Sequence, residues 1–182
     1  MMPTLEQQLL DAIQQLDSQK VADCIEKGAN VNFLDAERGF PLTVLCDSLF
    51  DWWLILQQAY DDDMPLSDSV KQEKLSPYLQ IFEQLIVAGA TPHTWDSEEF
   101  YGPLWDAASA ACLPIVQRLL DLNVNPNTLD DDGLPVLSSI SDLWFECDYD
   151  EINWNEAYLE QQTTLQLLRQ HGAKTTTEIK PS

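Results

Sequence analysis

The stretch from Cys24 to Asn32, CIEKGANVN, ends an amphipathic run with a glycine and places an asparagine four residues later. Similar endings follow in LIVAGATPHT, LLDLNVNPNT and LLRQHGAKTT. Glycine or asparagine just past the last helical turn supplies the left-handed residue that lets the chain satisfy the open carbonyl groups of the helix end. We therefore expect four helices to end just before residues with positive φ, namely Gly28, Gly89, Asn123 and Gly172.

These endings belong to longer segments that repeat along the chain. The segment from Leu9 to Asn32 aligns without a gap with the segment from Leu104 to Asn127. In the second copy, Ala107 and Ala108 keep a first helix thin, and the residues from Ile115 to Leu120 give a second helix an apolar stripe at helical spacing. Each copy thus predicts two short helices, after which Asn32 or Asn127 turns the chain through its own side-chain hydrogen bonds.

The segment GPLWDAASAACLPIVQRLLDLNVNPN, from Gly102 to Asn127, resembles the ankyrin repeat. The pattern of that family has a proline-leucine pair at the start of the first helix, paired alanines inside it, and a glycine-alanine and an asparagine after the second helix. Here Gly102 replaces the usual threonine and Trp105 the usual histidine, while RGFPL and DGLPV are similar starts with one residue missing. The resemblance implies a stacked helical solenoid, a fold that generally binds other proteins.

The pattern predicts an all-α, ankyrin-like helical repeat solenoid that forms a single domain over residues 1–182. Its repeat units are expected at about 5–32, 35–93, 95–127 and 130–176, with a polar tail at 177–182. The four helix ends are separated by 61, 34 and 49 residues, whereas the ankyrin period is ~33 residues. The second and fourth units therefore carry insertions, which we expect to be helical, at roughly Leu49 to Val70 and Ser141 to Tyr158.

The charge of the chain limits its partners. It has 31 acidic and 9 basic residues, a formal net charge of −22, and no Lys or Arg between Leu119 and Leu168. Such a surface repels phosphate groups, so we expect no nucleic-acid partner, no anionic membrane partner, and a basic protein partner instead. The opening MMPTLEQQLLDA lacks targeting features, and no apolar run reaches membrane-spanning length, which favours a cytoplasmic protein.

The residue types that carry chemistry are few. Four cysteines lie far apart without a C-x-x-C pair, and Cys24, Cys46 and Cys112 read as small core residues, whereas Cys147 lies in an acidic loop. His93 and His171 stand in glycine-ended turns, where a role at a helix end is expected. No glycine-rich phosphate loop is present. Asp121, Asn123, Asn125 and Asn127 alternate like calcium-loop ligands, but Pro126 occupies the position that requires glycine, and the repeat already explains Asn123 and Asn127. We therefore expect no enzyme activity, cofactor or metal.

The two insertions, the segment TWDSEEFYG and the start of the following helix mix aromatic residues with carboxylates. The aromatics could extend the helical core, and the acidic runs could be solvated loops. Taken together, however, they predict an acidic surface with aromatic anchors, as protein interfaces use. The predicted partner-binding residues are Trp52, Asp61, Asp62, Asp63, Trp95, Glu98, Glu99, Phe100, Tyr101, Trp105, Asp106, Asp148, Asp150, Glu151 and Trp154.

The sequence favours a non-catalytic binding module. A small, strongly acidic binder is similar to the immunity proteins and antitoxins that neutralise basic toxins, including nucleases, and this is the most specific hypothesis. A generic adaptor or chaperone-like scaffold is the alternative within that class. A nucleic-acid mimic that blocks a DNA-binding protein is the rival from another class, and its affinity should fall steeply with salt. The oligomeric state stays open.

Overall fold

The computed structural model describes residues 3–92, 102–130, 132–147, 149–155 and 157–179. Contacts divide the chain into two compact halves, an N-terminal half, Met1–Pro92, and a C-terminal half, His93–Ser182. Within the described ranges the chain forms helices joined by turns, with two isolated β-bridges and no strand. The predicted all-α class is therefore confirmed, while the single domain over 1–182 stays a prediction.

The N-terminal half contains two helix pairs and one additional helix. In chain order its helices are α1 (Leu5–Gln14), α2 (Ser18–Glu26), α3 (Pro41–Asp47), α4 (Phe50–Asp61) and α5 (Asp68–Val87). Helices α1 and α3 pack on each other, as do α2 and α5, while α1 also contacts α2 and α3 contacts α5. Leu9, Ile13, Leu45 and Phe82 are fully buried in the core.

The C-terminal half has the same order of contacts. Its helices are α6 (Pro103–Ser109), α7 (Leu113–Asp121), α8 (Val136–Phe145), α9 (Leu159–Gln170) and α10 (Thr176–Ile179). Helix α6 packs on α7 and α8, and α9 packs on both α7 and α8. Ala107, Ala108, Leu119 and Leu165 are completely buried, so the small residues expected at a close helix contact do lie in the core.

The predicted helix endings are confirmed by the backbone. φ is +90° at Gly28, +92° at Gly89, +85° at Gly172 and +62° at Asn123. After each of these residues, the next N–H reaches back five residues to a carbonyl, as in the bond of 2.9 Å from Ala90 N to Leu85 O. This is the Schellman closure, and it satisfies carbonyls that the helix itself leaves open.

Three other helices close in the same way without glycine or asparagine. α1, α4 and α6 are followed by Leu16, Asp63 and Ala111, whose φ values are +53°, +53° and +50°. The left-handed conformation costs roughly 1–2 kcal/mol for a residue with a Cβ. These closures were not expected from the sequence, because the residue types give no sign of them.

The roles predicted for Asn32 and Asn127 were wrong in one respect. The local turns are made by Asn30 and Asn125, whose side chains accept the N–H groups of Asn32 and Asn127 at 3.0 Å. Asn32 instead donates through Nδ2 to Gly89 O at 2.9 Å and accepts the Thr91 N–H at 2.8 Å.

Asn127 repeats this arrangement in the C-terminal half. It donates through Nδ2 to Gly172 O at 3.0 Å and accepts the Lys174 N–H at 2.8 Å. Each asparagine therefore ties the end of one helix pair to the end of the next pair within its half.

The two insertions differ in secondary structure. The first contains α4 and the start of α5, as predicted, and the second contains the end of α8, a 3₁₀ turn at Tyr149–Glu151 and further turns. The expectation that the second insertion is helical is therefore wrong for about half of its described residues. Short polar side chains compete there for backbone bonds, and Asn153 Oδ1 accepts the N–H of Asn155.

The end of the chain also departs from the prediction. Residues 177–179 of the expected polar tail belong to α10, and Glu178 forms an ion pair with Arg169. The cysteines follow the prediction, since Cys24, Cys46 and Cys112 are buried and Cys147 is half-buried. Burial raises the pKa of the Cys112 thiol to about 12.

The positive φ at Gly89 generates a stability prediction. A Cβ at Gly89 would meet no atom within 4 Å, so Gly89→Val should act through backbone strain and cost on the order of 1 kcal/mol or more. The control is Ala88→Val, one residue earlier, where φ is −75°. Urea denaturation followed by circular dichroism measures both variants, and equal midpoints would contradict the assignment.

The burial of Ala108 generates a second prediction. Ala108 is 0% exposed, so Ala108→Leu should overpack the core of the C-terminal half and cost roughly 1–3 kcal/mol. Ala88→Leu, at an exposed helix end, supplies the control and should change stability by less than about 0.5 kcal/mol. Thermal unfolding measures the difference, and a neutral Ala108→Leu would refute close packing at this position.

Candidate functional site

The first acidic cluster lies at the end of α4. Asp61, the last helical residue, and Asp62 and Asp63, which follow it, are all exposed. The C-terminus of a helix carries a partial negative charge, and a carboxylate there is disfavoured by roughly 0.3–1 kcal/mol. Asp63 also occupies the left-handed position that glycine takes after other helices. Asp62 Oδ2 accepts a hydrogen bond from Gln58 Nε2 of the same helix at 2.9 Å, while all three carboxylates stay exposed to solvent.

The second acidic cluster lies in the 3₁₀ turn of the C-terminal half. Asp150 and Glu151 are exposed, and the next residue, Ile152, is buried. Gln162 of α9 holds the loop, since its Nε2 donates to the carbonyl oxygens of Trp154 and Ala157, both at 2.9 Å. The carboxylates are thus presented by a loop that is fixed to a helix at its far end.

Aromatic rings lie beside this second cluster. The rings of Tyr149 and Trp154 meet edge to face with centroids 5.5 Å apart. The guanidinium carbon of Arg169 lies 5.6 Å from the Tyr149 centroid, within the range of a cation–π contact. Trp154 is half-buried, so part of its ring supports the loop and part faces solvent.

Arg169 is the residue that sequence reasoning missed. The acidic loop has no basic neighbour in sequence, but α9 brings Arg169 to it from about twenty residues further along. The hydrogen bond that Arg169 donates to Glu178 raises the pKa of Arg169, with smaller contributions from Tyr149 and Asp150. The repeat pattern gave no sign of this contact, because Arg169 belongs to the polar face of α9.

Arg169 and Glu178 tie α10 to α9. Arg169 Nη2 donates to Glu178 Oε1 at 2.6 Å, and the Thr175 N–H donates to Glu178 Oε2 at 2.8 Å. The pKa of the Glu178 carboxyl falls to about 2, chiefly because of the Arg169 hydrogen bond and next because of the Thr175 N–H.

Two of the predicted surface residues are buried. Trp52 is 2% exposed and Asp106 is 8% exposed, so the expectation that these side chains are accessible is wrong. On α4, Trp52 shares a buried stripe with Leu56 and Ala59, spaced one and two turns apart. Trp105 is half-buried, and its Nε1 donates to Ser139 Oγ at 2.8 Å, so it links α6 to α8.

The remaining predicted site residues fall into three groups. Trp95, Glu98, Glu99, Phe100, Tyr101 and Asp148 lie outside the described residues. The structure therefore brings together Asp61, Asp62 and Asp63 in the N-terminal half. It separately groups Asp150 and Glu151 with Trp154 in the C-terminal half.

Metal, membrane and histidine sites concern only the part of the chain that the structure describes. No three His, Cys, Asp or Glu side chains converge there as metal ligands would. No described helix is long and apolar enough to cross a membrane. His171 caps α9 with its Nδ1 3.0 Å from Leu167 O, which confirms a helix-end role, while His93 lies outside the described residues.

No model of a known protein family matches the chain, and no curated protein matches it.

The ion pair of Glu178 generates a pH prediction. The lowered pKa stabilises the fold above the ordinary carboxyl value of 4.5, and this contribution is lost as the pH falls towards about 2. Glu178→Gln should therefore lower the urea midpoint at pH 7, and its difference from the unchanged protein should disappear near pH 2. Glu26→Gln, at an exposed position of α2, is the control. A deficit that is independent of pH would contradict the prediction.

Proposed function

We propose that this chain is a non-catalytic protein-binding module, built as an ankyrin-like helical repeat solenoid, whose partner is a basic protein. The most specific form of the proposal is a cytoplasmic immunity or antitoxin protein that neutralises a basic toxin such as a nuclease. The observation that carries it is the display of exposed carboxylates, with apolar side chains beside them, on segments inserted between paired helices.

The helix pairs support the repeat part of the proposal. In each half, first helices pack on each other and second helices pack on each other, as stacked repeats do. The equivalent asparagines, Asn32 and Asn127, make the same two hydrogen bonds to the end of the next second helix. A periodic fold gives equivalent residues equivalent bonds.

The placement of charge supports a basic partner. Asp61, Asp62 and Asp63 crowd the end of one helix, and Asp150 and Glu151 crowd one loop, within a chain of net charge −22. Like charges so close together repel one another and oppose folding. A cationic partner removes that repulsion on binding, and long-range attraction speeds the encounter.

Exposed apolar side chains favour a protein binder over a nucleic-acid mimic. Phe50 is 60% exposed and Leu54 is 47% exposed on α4, which ends in the first acidic cluster. A phosphate mimic needs only carboxylates, whereas protein interfaces combine apolar anchors with a charged rim.

The experiment is capture of the partner from the native cytoplasm, followed by binding kinetics on variants. Reversing Asp148, Asp150 and Glu151 together to lysine should slow association about tenfold and flatten its salt dependence, because these groups steer the encounter. Reversing Glu26, Glu37 and Glu73 changes the net charge equally at exposed positions outside the insertions and serves as the control.

Several results would refute the proposal. Capture of an acidic partner would refute it. So would capture of a basic partner whose association rate changes neither with the Asp148, Asp150 and Glu151 reversal nor with the control reversal. If affinity is lost almost entirely at high salt and the partner is a DNA-binding protein, the nucleic-acid mimic replaces the immunity protein as the function.

A further inference from the structure

The exposed apolar side chains of the described residues are concentrated around α4. Nine large apolar residues are exposed, and Phe50, Leu54, Ile55 and Met64 are four of them. These four lie within fifteen consecutive residues, although the described chain is about ten times longer. Contiguous exposed apolar surface on a folded domain marks an interaction site more often than single scattered residues do.

The orientation of α4 explains which of its residues are exposed. The buried stripe of Trp52, Leu56 and Ala59 fixes one side of the helix against the core. Phe50 and Leu54, one turn apart, then lie on a different side and are 60% and 47% exposed. Residues at i and i+4 are neighbours on a helix surface, so these two side chains form one apolar patch on the outer face of α4.

The acidic residues lie along the same helix. Asp61 follows Leu54 by seven residues, which is close to two helical turns, and so it lies on the face that carries Phe50 and Leu54. Asp62 and Asp63 continue from this helix end. The outer face of α4 therefore changes along its length from an apolar patch to a carboxylate cluster about 10 Å further on.

The charge within the segment bounded by Arg38 and Lys71 is all of one sign. From Gly39 to Val70 the chain has six aspartates and no lysine, arginine or glutamate, and all six aspartates are exposed. A second copy of this chain would place aspartates against aspartates, and an anionic membrane would be repelled. A cationic surface with apolar side chains is complementary to both parts of the face.

We propose that the outer face of α4, from Phe50 to Asp63, is the docking site for a basic amphipathic helix of the partner protein. This inference rests on the proposed function, because it names the contact face and the kind of segment that binds there. The partner helix packs an apolar pair spaced i and i+4 on Phe50 and Leu54, as helices pack by fitting side-chain ridges into grooves. Its lysines or arginines begin about two turns further along and face Asp61 to Asp63.

A helix is favoured over a strand as the bound segment. The described residues contain no sheet and offer no strand edge to extend, so strand addition has no template. An outer helical face with apolar residues one turn apart matches the spacing of the apolar residues of another helix.

The test uses the full chain and a synthetic, fluorescein-labelled helical peptide. The peptide has a pair of leucines at i and i+4 and about four lysines beginning roughly two turns beyond them. A second peptide has the same composition in scrambled order, which separates patterned docking from general attraction to an acidic protein. Fluorescence anisotropy measures both affinities, and amide chemical shifts locate the bound peptide.

Phe50→Ser combined with Leu54→Ser should weaken binding of the patterned peptide about tenfold or more, because it removes the apolar anchors. Leu34→Ser combined with Val87→Ser removes two exposed apolar side chains outside α4 and should change the affinity by less than about twofold. Both double variants change exposed residues, and circular dichroism checks that both are folded.

Asp61→Asn, Asp62→Asn and Asp63→Asn together should weaken binding and reduce its salt dependence. Asparagine tolerates the left-handed conformation at position 63, so this variant keeps the helix end. Shifts in the amide signals of α4 are expected with the patterned peptide.

The inference is overturned if both peptides bind equally, if neither binds, or if the serine variant binds as well as the unchanged protein. A dimer that Phe50→Ser and Leu54→Ser dissociate in sedimentation equilibrium would assign the face to a second copy and overturn it as well. The natural partner separates the two proposals. Failure of any basic protein to bind refutes the proposed function, whereas a basic partner whose kinetics ignore the serine variant refutes only the docking site.

Discussion

The structure depends on one recurring constraint, the left-handed residue that closes a helix and reverses the chain. Helices of 7 to 12 residues, such as α3 and α4, are too short to persist alone in water. They persist because each one packs against a neighbour, and that packing requires the chain to change direction where the helix ends. The Schellman closure provides the turn and at the same time bonds the last open carbonyls.

The closures show why part of the fold could be predicted from the sequence. Four helices end at glycine or asparagine, which adopt positive φ readily: Gly28, Gly89, Asn123 and Gly172. The residue type alone therefore indicates where these helices end. Leu16, Ala111 and Asp63 adopt the same conformation without such a mark. At these positions tertiary packing imposes the turn, and a residue type alone does not reveal packing.

The candidate surface was predicted less well than the fold, for a related reason. Helix α4 is apolar around most of its first two turns, so periodicity does not indicate whether Trp52 or Phe50 faces the core. Packing in the folded chain determines which side of α4 faces the core, and it buries Trp52 and leaves Phe50 exposed. Arg169 was missed likewise, since its contact with Tyr149 joins segments distant in sequence. Runs of carboxylates such as Asp61 to Asp63 were found because exposure is their usual state.

The paired asparagine bonds have a consequence for how this chain tolerates change. Asn32 reaches a helix end 57 residues later and Asn127 one 45 residues later, yet both make the same two bonds. These two hydrogen bonds thus fix the start and the end of the segment that lies between the asparagine and the helix end. The number of residues in that segment can vary. Lengthening a flexible loop adds only about 0.6 kcal/mol of closure entropy for each doubling. The exposed positions after α4 and α8 are therefore natural acceptor sites for grafting foreign segments, since the asparagine bonds secure the framework around them.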